Sequence, residues 1–383
     1  MGAMPPAAPM SPVSTPAMSG PLSGNPTPMS LDLGPLGDKV YVTGAVTGMV
    51  YAQSEATKFP RGGTPGFDDN PSGFELTNGQ VFIQKVDGVF QYFVQAGAYN
   101  LPSLGTPIFR TSTTSSDFFG VVPQAFVKLQ LADNFSIMGG KLPTLVGDEY
   151  TFTFENMDIF RGLLWNQEPA VSRGAQVNYT AGPIALSVSV NDGYYSDRYN
   201  WISGSAAWTI DMANTLSFIG AGNMGHTGGQ SLTFATPFLQ NNGSIYNIIY
   251  THTDGPWVIS PYFQYSSVSA DAKNGIVHDS STTGGALLVS YAVDDNWKLA
   301  GRVEYISSTG KGATLATSTN LLYGPGSDAW SFTFTPTYQY KTMFARAEVS
   351  YVSIGSSVAG FALGPHGTST SQTRGAFEIG VLF

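Results

Sequence analysis

WSFTFTPTYQY, residues 330–340, is the stretch on which the fold turns. Its even positions are Trp330, Phe332, Phe334, Pro336, Tyr338 and Tyr340, and its odd positions are Ser331, Thr333, Thr335, Thr337 and Gln339. Side chains two apart share one face of a strand. This strand is therefore apolar or amphipathic on one face and hydrogen-bonding on the other. WVISPYFQY (257–265) repeats the pattern with Trp257, Ile259, Pro261, Phe263 and Tyr265. WKLAGRVEY (297–305) sets Trp297, Leu299, Val303 and Tyr305 against Lys298, Arg302 and Glu304, and IALSVSVND (184–192) and VFQYFVQAG (89–97) agree. A soluble barrel would turn its apolar face inward and pack it dry, but here the apolar face outlasts any core that could bury it. Trp and Tyr close three of these stripes at both ends, Trp257 with Tyr265, Trp297 with Tyr305 and Trp330 with Tyr340, where amphipathic rings suit the two interfaces of a membrane.

Composition points the same way. Apolar residues make up 42% and aromatics 13%, but charged residues only 11%, about half of what a wholly water-facing surface carries. No run approaches the roughly 18 apolar residues of a membrane helix, so the remaining way across a bilayer is a closed barrel. The chain has no cysteine, which removes disulfides and thiolate chemistry and suits passage through an oxidising periplasm. A net charge of −9 argues against a nucleic-acid partner. The start, MGAMPPAAPM, lacks a basic n-region and an apolar core, and is read as that of a mature chain.

Residues 1–37 are rich in Pro, Ser, Ala and Met, with no aromatic residue, and read as a disordered, extended periplasmic linker; threading back as a plug is the alternative. From Asp38 to Phe383 the chain alternates strands with two kinds of connection. Short turns of Asp, Asn, Gly and Pro fall at 86–88, 132–134, 181–183, 211–214, 254–256, 294–296 and around Tyr340–Lys341. Longer connections fall near 54–72, 100–121, 144–169, 192–199, 227–241, 268–281, 308–326 and 355–370. Strict alternation of seven short and eight long connections gives an all-β, antiparallel, up-and-down transmembrane barrel of about 16 strands, with short periplasmic turns and long outer loops. One misread hairpin would make it 14 or 18. Both termini then fall on the periplasmic side of a bacterial outer membrane.

The closing segment GAFEIGVLF (375–383) puts Phe377, Ile379, Val381 and Phe383 on one face. An aromatic last residue preceded by alternate apolar positions resembles the signal by which outer-membrane proteins engage the barrel assembly machinery. The block GGKLPTLVGDEYTFTFENMDIFRGLLWNQEPAVSRGAQVNYTAGPIALSVSVNDGYY (139–195) resembles the family named Putative beta-barrel porin-2. The resemblance implies a porin in outer-membrane lipid, needing no cofactor and no metal. It does not extend to the Pro-rich head.

The third long connection, 144–169, carries Phe152, Phe154, Phe160, Leu163, Leu164 and Trp165, too many large apolar groups for a loop in water. General porins, which the chain resembles, fold this loop inward to narrow the pore; an outward acidic loop packed on itself is the plainer reading. Its acids are Asp148, Glu149, Glu155, Asp158 and Glu168, opposed by Arg161. The lumen-facing parity of the last strands carries Lys298, Arg302, Arg346 and Arg374 together with Glu304, Glu348 and Glu378. One expectation is an acidic loop facing a basic wall across the eyelet, with a transverse field and mild cation preference. The other is neutralisation in pairs, Arg302 with Glu304 and Arg346 with Glu348. Tyr194, Tyr195, Tyr199 and Phe160 are candidates for stacking sugars, and Asp192 with Asp197 for holding calcium.

Two other classes compete with a porin. A rim hydrolase would need Ser, His and Asp brought together, whereas His226, His252, His278 and His366 stand singly, so no enzyme is expected. A non-conducting adhesin or scaffold differs from a porin only in conductance. Small outward positions at Gly204, Ala206, Gly220 and Gly222 mark a candidate contact for a homo-trimer.

Overall fold

The computed structural model describes residues 19–34, 39–56, 70–231, 233–310 and 319–383. Its strands begin with β1 (Met29–Asp32), β2 (Lys39–Gln53), β3 (Ser72–Lys85), β4 (Phe90–Tyr99), β5 (Gln124–Ala132) and β6 (Phe135–Pro143). Next come β7 (Val171–Ala181), β8 (Ile184–Asn191), β9 (Trp201–Thr209), β10 (Asn214–Asn223), β11 (Ser244–Asp254) and β12 (Trp257–Val268). The last are β13 (Ser280–Ala292), β14 (Trp297–Ser308), β15 (Asp328–Tyr340), β16 (Met343–Gly355) and β17 (Ser371–Leu382). All belong to one 17-stranded sheet. Among the described residues β1 pairs with the start of β2, Met29 opposite Val42, and the ring itself is the sixteen strands β2 to β17. Each pairs antiparallel with the next, and β17 returns to β2 with Phe377 opposite Val50 and Ile379 opposite Gly48.

The loop pattern read from turn chemistry is the observed one, with all seven short turns at one rim and all eight long connections at the other. Residues 57–69 of the first long connection and 311–318 of the seventh lie outside the described residues.

Parity sets which face meets what. On β15, Phe332 and Phe334 are 47% and 49% exposed, whereas Ser331 and Thr335 are fully buried. The apolar face is outside and the hydroxyl face lines the lumen. Trp257 meets Tyr291 at 4.5 Å and Trp297 meets Tyr338 at 5.0 Å beside the short turns. Tyr305 meets Trp330 at 4.8 Å toward the other rim. From Trp297 to Tyr305 is about 27 Å of strand, or about 20 Å of height at a tilt near 40°, close to the apolar band of an outer-membrane barrel.

The seam depends on a glycine. Gly44 and Phe383 exchange backbone hydrogen bonds of 2.9 and 3.0 Å. A Cβ at Gly44 would lie 2.3 Å from the Phe383 ring, so the last side chain can cover the β2–β17 seam only because position 44 is bare. Phe377, Ile379 and Phe383 all face outward, 47%, 54% and 41% exposed.

The Pro-rich head departs from a free linker where it is described. Residues 1–18 and 35–37 lie outside the described residues, but 19–23 run inside the lumen from the short-turn rim. Ser23 N–H donates to Gln339 Oε1 at 2.9 Å, and Gln339 Nε2 donates to Ser23 O at 2.8 Å. Lys298 Nζ donates to Pro21 O at 2.5 Å. Leu22 is 3% exposed, within an apolar cluster that includes Phe82, Phe344 and Leu382.

Candidate functional site: the inner loop and the lumen

The long connection between β6 and β7, residues 144–170, lies inside the barrel. Phe152, Phe154, Phe160, Leu163 and Leu164 are each at most 1% exposed. Phe154 packs on Phe82 of β3 at 5.7 Å, and Phe152 meets Tyr99 of β4 edge-on at 5.4 Å. Burial of these groups against the inward faces of β3 and β4 supplies the apolar drive for the loop's path.

The wall then supplies partners for the loop's backbone. Gln264 of β12 donates to Leu164 O at 2.9 Å. Glu304 of β14 accepts the Leu163 and Leu164 amides at 2.9 and 3.2 Å. Glu348 of β16 accepts the Ile159 and Phe160 amides at 2.5 and 3.2 Å. Arg302 donates to Phe160 O at 3.0 Å, and Arg346 donates to Asn156 O and Thr153 O at 3.0 and 2.7 Å. Thr153 Oγ1 donates to Glu378 Oε1 at 2.9 Å and accepts from Asn78 Nδ2 at 2.7 Å. A buried backbone needs such partners, and the loop finds them along the wall from β12 round to β3.

The charges expected to face one another across an opening are in contact. Arg302 Nη1 lies 2.6 Å from Glu149 Oε1 and 3.6 Å from Asp158 Oδ2, and its Nε lies 3.3 Å from Glu304 Oε2. Asp158 also accepts from Thr335 Oγ1 at 2.7 Å. Arg346 pairs with Glu378 at 2.6 Å, not with Glu348, whose Oε2 is turned to the loop amides. Arg374 donates to Gln53 Oε1 at 2.7 Å, to Ser103 O at 2.6 Å and to Thr106 O, so it holds the neighbouring long loop, residues 100–123. Lys298 stands apart, against the N-terminal segment. Of the five loop acids, Glu149 and Asp158 join the Arg302 cluster, while Asp148 lies near Ser260 of β12. Glu155 Oε2 accepts its own loop's Phe152 N–H at 2.9 Å, and the Glu155 carbonyl accepts Ser19 N–H at 2.9 Å. Glu168 lies near Tyr262, 3.5 Å from its hydroxyl. Burial pushes the Glu155 carboxyl up to about 8, with the Phe152 amide and Arg161 drawing it back, and burial raises Glu149 and Asp158 against the pull of Arg302.

Two contributors were not legible from residue type. Arg161, fully buried, donates to Thr151 O and Pro102 O at 2.8 and 2.9 Å and lies over the Trp165 ring at 4.6 Å. Gly162 lets the loop approach the wall: a Cβ there would stand 2.0 Å from Glu304 Oε1. Its place in RGLL is the one sequence signal of that close approach.

The sugar-stacking set is not one platform. Phe160 and Tyr194 are buried, Tyr199 is 58% exposed, and Tyr195 stacks under Arg173 at 4.0 Å. Asp192 and Asp197 lie 2.7 and 3.5 Å from the same Arg173, a cation already in place. His226 pairs with Asp271 at 2.7 Å and His252 with Asn214 at 2.8 Å. Among the described residues no three His, Asp or Glu gather as metal ligands.

Space remains on both sides of the loop. Toward the short turns a cavity of about 490 Å³ is lined by polar inward residues such as Gln84, Lys85, Lys128, Gln176 and Asn178. Toward the long loops a second, about 580 Å³, is bounded mainly by apolar side chains, Phe109, Phe118, Trp165 and Phe234 among them.

No curated protein matches the sequence. The fold is similar to solved outer-membrane proteins. OmpT of Vibrio cholerae, outer-membrane expressed, superposes with a TM-score of 0.57 at 10% identity, covering 90% of this chain and 98% of that one. The trimer form of OmpT gives 0.57 at 10% identity, with 90% and 99% covered. An anion-selective porin from Comamonas acidovorans gives 0.56 at 13% identity, with 90% and 99% covered. Residues 39–383 match the family described as Putative beta-barrel porin-2, OmpL-like. With its outward apolar face, polar lumen and closed ring, the chain is an outer-membrane barrel that belongs to this porin family.

Proposed function

We propose that the chain is a diffusion porin, passing small hydrophilic solutes and ions through a lumen narrowed by the loop 144–170. The observation that supports this most is the loop's backbone, bound to inward residues of β12, β14 and β16 and leaving solvent space above and below. The loop–wall region is acid-rich: buried Glu149, Glu155, Asp158, Glu168, Glu304, Glu348 and Glu378 outnumber buried Arg161, Arg302, Arg346 and Arg374. This favours a mild preference for cations. Short turns and both termini face the periplasm, the C-terminal strand with Phe377, Ile379, Val381 and Phe383 is what the assembly machinery reads, and copies associate as trimers through the surface at Gly204 and Gly220. Reconstitution in planar bilayers under a salt gradient tests the channel. Ohmic single-channel steps with a cation-selective reversal potential are expected, and silence would move a non-conducting adhesin to first place.

A specific observation supports a second element. Residues 19–23 lie in the lumen beneath the loop, with Ser19 bonded to Glu155 and Leu22 buried. In this reading the Pro-rich head partly plugs the barrel from the periplasmic side. A chain lacking residues 1–37 would then give larger steps than the full chain; equal steps would return the head to a passive linker.

A further inference from the structure

The cavity on the long-loop side differs in chemistry from the polar one beneath it. Phe109, Phe118 and Phe234 form one wall, with Phe118 stacked on Phe234 at 6.5 Å and tilted against Phe109 at 5.8 Å. Trp165 lies on the inner-loop side, its ring braced by the Arg161 guanidinium. A volume of about 580 Å³ is within the usual range for a small-molecule site, and the apolar lining is more than a path for water and salts requires. Polar groups are few: Ser103 Oγ, which donates to Asn166 Oδ1 at 2.6 Å, Asn166 itself, Thr106, whose hydroxyl meets Ser103, Tyr194, whose hydroxyl is bonded to Gln167 O, and Glu168.

Glu168 is the unusual member. It is 6% exposed, and its Oε2 has no hydrogen-bond partner among the described residues. Its Oε1 meets the Tyr262 hydroxyl at a long 3.5 Å. Glu149 and Asp148 lie near enough to raise its carboxyl further beyond what burial does. A buried acceptor with one oxygen unmet, among other acids, is strongly favoured by a cationic donor.

We infer that this cavity is a binding site for a small arylalkylamine, its ring between Trp165 and the phenylalanine wall and its ammonium group directed to Glu168. The inference deepens the channel reading and rests on it for access from the outer side. Binding is measured apart from conduction, so failure of one is distinguishable from failure of the other. The experiment is calorimetry on the detergent-purified full chain with two probes, tryptamine and its uncharged counterpart indole. Saturable tryptamine binding with a Kd on the order of 1 mM is expected, with indole at least about tenfold weaker. Glu168→Gln should weaken tryptamine by about 10- to 100-fold and leave indole within about twofold, whereas Phe118→Ala should weaken both. Retention of the heat-modifiable gel band confirms that each variant is folded. Tryptamine that fails to saturate overturns the site. Equal affinity for tryptamine and indole, or no effect of Glu168→Gln in a folded barrel, overturns the amine assignment.

Discussion

Replacing Arg302 by methionine should undock the inner loop. Arg302 is 1% exposed and gathers Glu149, Asp158 and Glu304 within 2.6, 3.6 and 3.3 Å of its guanidinium. It also donates to Phe160 O and Thr333 Oγ1. Methionine fills much of the same volume but leaves three carboxylates in one water-poor site. Breaking a buried pair by removing one partner costs about 3–5 kcal/mol. Here the docked state carries that cost, because Glu149 and Asp158 travel with the loop while Glu304 stays on β14. At about 1.4 kcal/mol per decade, the ratio of docked to undocked loop should fall by about two to four decades.

The absence of native cysteine makes the assay clean. Met157, 3% exposed on the loop, becomes the reporter as Met157→Cys. If labelling is slow relative to reclosure, its rate follows the open population. Arg302→Met in that background should speed maleimide labelling by about 100-fold or more, and adding Glu149→Gln should recover part of the difference. A folded Arg302→Met barrel that labels no faster than its parent refutes the idea that this cluster holds the loop.

Loop docking should also depend on pH through Glu155. Its docked carboxyl titrates near 8, above its ordinary 4.5, because burial disfavours the charge. The docked form therefore binds the proton more tightly. Its support is complete below about pH 4.5 and is lost as pH rises through about 8. Met157→Cys labelling, corrected for the reagent, should quicken from pH 5 to pH 8.5, and Glu155→Gln should flatten the change. Gly44→Val should drive the Phe383 ring off the seam at a cost of about 1–3 kcal/mol, read as a lower temperature for loss of the heat-modifiable band; an unchanged temperature would mean that the terminal ring adds nothing. Leu22→Asp should release the N-terminal segment from its apolar seat and reproduce the conductance of the chain lacking residues 1–37. Steps equal to those of the parent would show that Leu22 does not hold it.

The strands were readable because a barrel wall makes each residue declare its side. Phe332 and Ser331 differ in chemistry as sharply as lipid differs from a lined lumen, and a two-residue period carries that contrast without tertiary information. Turn chemistry separated the two rims, since a hairpin of Asp and Gly closes locally. Parity placed Arg302, Arg346, Glu348 and Glu378 on the inward face for the same reason. It could not say which of them touch. Arg346 lies directly opposite Glu378 on the neighbouring strand, and cross-strand neighbours meet as readily as residues two apart along one strand. The N-terminal segment was least legible, because low-complexity sequence carries no period. Its place rests on a few backbone bonds and one leucine.

The partners chosen by the wall arginines bear on what the inner loop can do. Arg346 takes the carbonyls of Thr153 and Asn156, Arg302 that of Phe160, and Arg374 those of Ser103 and Thr106. Glu304 and Glu348 take amides. These contacts read the path of the backbone and not the identity of its side chains. Side chains add to this hold where they are buried, Phe152 and Phe154 against β3 and β4 and Glu149 and Asp158 on Arg302, and Gly162 keeps the close approach to Glu304. Because the buried guanidiniums are already bound, they contribute little free positive field to the lumen. The wall's hold on the backbone and the loop's own buried side chains together fix where the loop lies.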